Sequence, residues 1–96
     1  MNEIRSAAII GAGTMGNGIA QACAMAGVPA ALVDIEERFI RRGMDTVKTS
    51  LARFVKSGKL TQTQSDVALA LITPTTAFDA AVRDVDIIIE ARRSWP

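Results

Sequence analysis

Histidine is absent from the 96-residue sequence, and cysteine occurs once, at position 23. Without histidine these residues hold no imidazole general base, no histidine metal ligand and no Ser-His or Cys-His nucleophile. One cysteine excludes an internal disulfide and falls far short of a zinc ligand set. A reducing, cytoplasmic setting is expected. No apolar run approaches the roughly 20 residues of a membrane-spanning helix. The opening MNEIRSAAII carries an acidic residue and a short apolar stretch, which makes it a poor signal peptide. Net charge is only +1, so neither nucleic acid nor an anionic membrane is expected as a partner. Internal repeats and low-complexity segments are also missing. What is present is 49% hydrophobic residues, which suits one small packed domain near the lower size limit.

The apolar residues fall into alternating short runs and helical stripes. Residues 6–10 read as a short buried strand ended by Gly11. A helix follows over 15–26, with Met15, Ile19, Ala22, Cys23 and Ala26 at helical spacing and Gly27 as its stop. Residues 30–33 are a second strand running into Asp34, with Pro29 placed where a missing N–H is harmless. A long amphipathic helix spans 36–56, its stripe made of Ile40, Met44, Val47, Leu51 and Phe54, and Ser57-Gly58 ends it. Thr61 and Gln64 have capping-box spacing ahead of a short helix to about residue 71. A brief strand at 72–75 contains Pro74, one or two helical turns lie within 77–82, and a β-branched strand covers 86–90. Strands alternating with helices imply a parallel sheet, since a parallel pair needs a crossover. The expected class is α/β: a partial doubly wound sheet of Rossmann type, about four strands with helices on both faces.

Three glycines stand at 11, 13 and 16 in GAGTMG, where a strand gives way to a helix. Gly11 lets the chain turn sharply. Gly13 has no Cβ, so a pyrophosphate can approach the backbone. Gly16 lets the helix lie close on the strand. Free N–H groups and a partial positive charge at the helix start then receive the phosphates, with no lysine or arginine required. Asp34 lies 23 residues after Gly11, the distance expected of the acid that binds a ribose 2′-OH. A carboxylate there accepts from the diol and repels a 2′-phosphate, which favours NAD over NADP. Arg38, one turn into the next helix, reads as a solvated charge. Cys23 reads as a small buried hydrophobe, and Met15, Met25 and Met44 as packing. Asp84 and Asp86 read as caps or terminators.

The stretches GAGTMGNGIAQACAMAG and VDIEE, with SGKLTQTQSDVALALITPTT and VDIIIEA beyond them, resemble the NAD-dependent 3-hydroxyacyl-CoA dehydrogenases. The similarity covers residues 4–91. It implies an NAD-binding domain over 1–91 and a reversible oxidation, in which the 3-hydroxyl of an acyl-CoA becomes a ketone as NAD takes a hydride. By that resemblance Gly11, Ala12, Gly13, Thr14, Met15 and Gly16 line the pyrophosphate, Asp34 holds the adenosine ribose, and Ala91 lies near the cofactor. Ser50 matches a position that contacts CoA. The lysine of that CoA site aligns with Ser57, leaving Lys56 or Lys59 to replace it. A β-hydroxyacid-type dehydrogenase shares the glycine start, but ITPTT and VDIIIEA argue against it.

After Ala91 the pattern departs. The family usually continues with a Val-Pro-Glu type turn whose glutamate contacts the cofactor; here Arg92-Arg93-Ser94-Trp95-Pro96 follows, with Ser94 in the glutamate position. Residues 92–96 are therefore expected to be an atypical, loosely held tail. The family's catalytic His and Glu, its substrate-orienting Ser and Asn, and its helical C-terminal domain are not in these 96 residues. Glu90 ends a strand, and with no histidine in the sequence to act as a general base it does not take the catalytic place. The expectation is a truncated gene product, a reading-frame change or a fragment that binds NAD(H) without catalysing. The strand carrying Ile87, Ile88 and Ile89 is expected to keep an open edge that invites self-association. The competing reading is a non-catalytic nucleotide-binding or regulatory module that pairs with a full-length homologue.

Overall fold

The computed structural model describes residues 4–91. Strand β1 (Ala7–Ile10) leads into helix α1 (Thr14–Met25), strand β2 (Ala30–Val33), helices α2 (Glu37–Lys56) and α3 (Gln62–Ala70), strand β3 (Ile72–Thr75), helix α4 (Phe78–Val82) and strand β4 (Ile87–Glu90). All pairings are parallel and the order is β3-β2-β1-β4. The expected class and element order hold. The tail 92–96, with Ser94 and Trp95, lies outside the described residues.

β1 is central and buried along its whole length. Ala7 and Ile9 point to one face, where Ala20 and Ala24 of α1, Val47 and Leu51 of α2 and Ala68 of α3 close over them. Ala8 and Ile10 point to the other, which only the α4 side covers, through Ala81, Val82 and Val85. This two-sided burial explains the unbroken AAII run. Pro74 is tolerated because β3 is an edge strand.

The helix ends follow local chemistry. Past α1, Gly27 adopts φ 83°; its N–H bonds to Ala24 and that of Val28 to Cys23, a Schellman closure. Gly58 repeats it after α2 at φ 82°, with bonds to Val55 and, from Lys59, to Phe54. At α3 both halves of the capping box form: Gln64 N–H donates to the Thr61 hydroxyl at 3.0 Å, and Thr61 N–H donates to Gln64 Oε1 at 2.9 Å. Asp86 ties the strand starts together by accepting from Arg5 N–H at 2.6 Å.

One expectation is overturned. The buried face of α1 is Gly16, Asn17, Ala20, Gln21 and Ala24, not the stripe from Met15 to Ala26. Met15 is 67% exposed, Met25 is exposed as well, and Cys23 is only half-buried. The reason is distance. A Cβ at Gly16 would run into the carbonyl oxygen of Gly11, so at that position the helix lies too near the sheet for any side chain. Close approach, not hydrophobicity, sets the phase of the helix. α2 does follow its apolar stripe, with Ile40, Val47 and Leu51 buried.

Candidate dinucleotide site

The carboxyl ends of β2, β1 and β4 carry Asp34, Gly11 and Ala91 respectively. The chain leaves β1 toward β2 on one side, and β4 arrives on the other, so the order reverses between β1 and β4. Such a reversal opens a crevice beyond the strand ends, where ligands of open α/β sheets bind.

The glycine corner is built as its spacing requires. Gly11 has φ 112°, a conformation that disfavours any side chain, and its N–H continues the sheet to the Val33 carbonyl at 2.7 Å. Gly13 is exposed, and a Cβ placed on it would meet nothing within 4 Å. The corner is open to an incoming group. Gly13 caps α1 without any side-chain bond, and no acidic residue occupies the first turn. The first-turn amides of Thr14, Met15 and Gly16 therefore have no intrahelical partner.

Asp34 is aimed at this corner. Its Oδ2 accepts from Ala12 N–H at 2.8 Å and its Oδ1 from Ile35 N–H at 2.7 Å. Each carboxylate oxygen has a second lone pair, so both can still accept from a diol. Arg38 does not intrude: it pairs with Glu36 at 3.1 Å and lies over the Phe39 ring at 4.9 Å. Ala91 donates its N–H to the Ile10 carbonyl at 2.8 Å, beside the corner and half-buried. The structure thus gathers positions 11–16, 34 and 91.

Ser50 and Lys56 are not gathered with them or with each other. The Ser50 hydroxyl accepts from the buried Gln21 amide at 2.9 Å, joining α2 to α1. Six residues of helix turn Lys56 well away from Ser50. Phe54, one turn on from Ser50, instead carries Lys59 Nζ 5.6 Å from its ring centroid.

Several site features escaped the sequence. A recess of about 290 Å³ opens beside the corner, lined by Thr14, Asn17, Asp34, Arg42 and Thr46 among others. Ile35, next to the acid, is 79% exposed, and Met15, in the first turn of α1, is exposed as well. No periodicity marks these residues; only the neighbourhood of Gly13 and Asp34 does. A larger hollow of about 530 Å³ lies between α2 and β3, but it has no glycine turn and two of its residues, Glu37 and Arg41, pair with each other. No described helix is long and apolar enough to cross a membrane.

Known proteins share this arrangement. The family model "3-hydroxyacyl-CoA dehydrogenase, NAD binding domain" matches residues 6–93. The chain is 43% identical over 89 residues to a fatty acid oxidation complex subunit alpha of Idiomarina loihiensis, covering 93% of this chain and 12% of that protein. A solved (S)-3-hydroxybutyryl-CoA dehydrogenase from Ralstonia eutropha superposes with a TM-score of 0.93 at 45% identity, covering 98% of this chain and 33% of that one. The 3-hydroxybutyryl-CoA dehydrogenase of Escherichia coli gives 0.93 at 33% identity, with 98% and 20% covered. The chain spans only a minor part of these relatives' length. It belongs to the 3-hydroxyacyl-CoA dehydrogenase family, as that family's NAD-binding domain.

Proposed function

We propose that residues 1–91 hold NAD(H) at the glycine corner. The amides of Thr14, Met15 and Gly16 receive the pyrophosphate, Gly11, Ala12 and Gly13 shape its bed, Asp34 takes the adenosine ribose diol, and Ala91 borders the cofactor. The observation that carries this reading is an empty corner at Gly13 with the Asp34 carboxylate bonded to the neighbouring Ala12 N–H. The cofactor, when bound, accepts or returns the hydride. The activity assigned is the interconversion of 3-hydroxyacyl-CoA and 3-oxoacyl-CoA by the whole protein, in a cytoplasmic setting. Ser50 on one helix face and Lys59, rather than Lys56, are assigned to the CoA moiety. These 96 residues contain no histidine, so the isolated chain binds the cofactor without turning over 3-hydroxybutyryl-CoA.

The test is titration with NADH, followed by fluorescence. Asp34→Asn removes a charged acceptor, which costs on the order of 1.5–3 kcal/mol of affinity. An unchanged affinity would sink the ribose assignment. Turnover of 3-hydroxybutyryl-CoA by the purified chain would sink the statement about catalysis.

A second reading concerns β4. It pairs with β1 on one side and with no described strand on the other, and Ile88 is 52% exposed. Such an edge invites pairing with a second copy or a full-length homologue. Sizing in dilute solution decides: a clean monomer with a protected Ile88 amide rejects this reading.

A further inference from the structure

Asn17 is 6% exposed, and its Oδ1 is buried without a hydrogen-bond partner among the described residues. Buried polar atoms are rarely left this way. The atom's surroundings explain it. A Cβ added at Gly43 of α2 would stand 2.5 Å from Asn17 Oδ1 and 3.1 Å from the Ala12 carbonyl oxygen. Both oxygens therefore rest against the Cα–H of Gly43, a weak seat that glycine alone offers. That seat fixes the amide. Asn17 also lines the recess beside the corner, and Nδ2 is the donor its amide can offer there. Arg42 lines the same recess and, unlike Arg38 and Arg41, forms no ion pair among the described residues.

An amide donor, a guanidinium and the uncapped start of α1 thus surround one hollow beside Asp34. All three favour anionic oxygen. We infer that Asn17 Nδ2 and Arg42 bind the ribose-linked phosphate of the dinucleotide from the α2 side. This rests on the NAD reading above and adds to the backbone corner two side chains outside the glycine motif. It also gives Gly43 a role: it sets the direction in which the Asn17 amide points.

The experiment compares NADH and inorganic pyrophosphate binding to the 96-residue chain and to Asn17→Ala, Asn17→Asp and Arg42→Ala, each checked by circular dichroism and thermal melting. Asn17→Asp keeps the size and the Gly43 seat but replaces the donor with an anionic oxygen. Asn17→Ala should weaken NADH binding about tenfold, and Asn17→Asp by more. Arg42→Ala should flatten the dependence of affinity on salt. If Asn17→Asp folds normally and binds NADH as tightly as the parent, the inference is overturned while the NAD reading stands. If the parent binds neither ligand, both fall together. Should Asn17→Ala fail to fold, Asn17→Asp and Arg42→Ala decide the matter.

Discussion

Helices α1 and α2 lie on the same face of the sheet, yet they are built on opposite terms. α2 packs through branched side chains, Ile40, Val47 and Leu51. α1 packs through Gly16, Ala20 and Ala24 and buries two amides, Asn17 and Gln21. A helix that fills a core interdigitates its bulk with its neighbours. A helix that must carry its first turn to the mouth of a crevice gives up bulk to come close. The two should therefore fail in opposite ways, α2 when volume is removed and α1 when it is added.

The largest expected effect lies on α2. Leu51 is almost wholly buried, and Leu51→Ala should cost about 2–5 kcal/mol in urea unfolding, while the folded fraction keeps its NADH affinity. Equal loss of affinity would show that α2 is more than a support. On α1, Gly16→Ala adds one methyl against the Gly11 carbonyl, a backbone atom that cannot swing aside. It should cost about 1–3 kcal/mol or more and distort the corner, read as a lower urea midpoint together with lost NADH binding. A harmless Gly16→Ala would refute close approach as the reason for the helix phase. The smallest effect on stability belongs to Gly13→Ala, whose new methyl meets open space. Unfolding should shift within about 0.5 kcal/mol, yet NADH affinity should fall, because the methyl occupies the approach of the pyrophosphate. Undiminished affinity would break the link between the empty corner and the cofactor.

The same contrast governs what could be read from the residues alone. The strands, α2 and the capping box at Thr61 were legible because hydropathy, β-branching and local hydrogen bonding determine them residue by residue. The glycine corner and Asp34 were legible because their spacing reflects covalent reach. The buried face of α1 was not, since Met15 and Ile19 are more hydrophobic than Gly16 and Ala20 and drew the stripe to the wrong side. Gly16 held the correct phase: the third glycine of the motif has to face the strand it packs on. Asn17 and Arg42 were hidden because α1 and α2 meet only in the folded chain. Nor did any spacing announce that the turn at Gly58 brings Lys59 over the Phe54 ring.

The bond from the Ala12 amide to Asp34 bears on coenzyme engineering. Exchanging this acid for a small or basic residue is the obvious way to admit a phosphorylated ribose. Here that exchange would also strip the acceptor from a backbone donor at a buried residue, leaving the turn untethered before any ligand arrives. On the proposed ribose role of Asp34, coenzyme preference and loop shape are thus coupled through one side chain. A redesigned version would need a replacement acceptor for Ala12 before new cations could improve its choice.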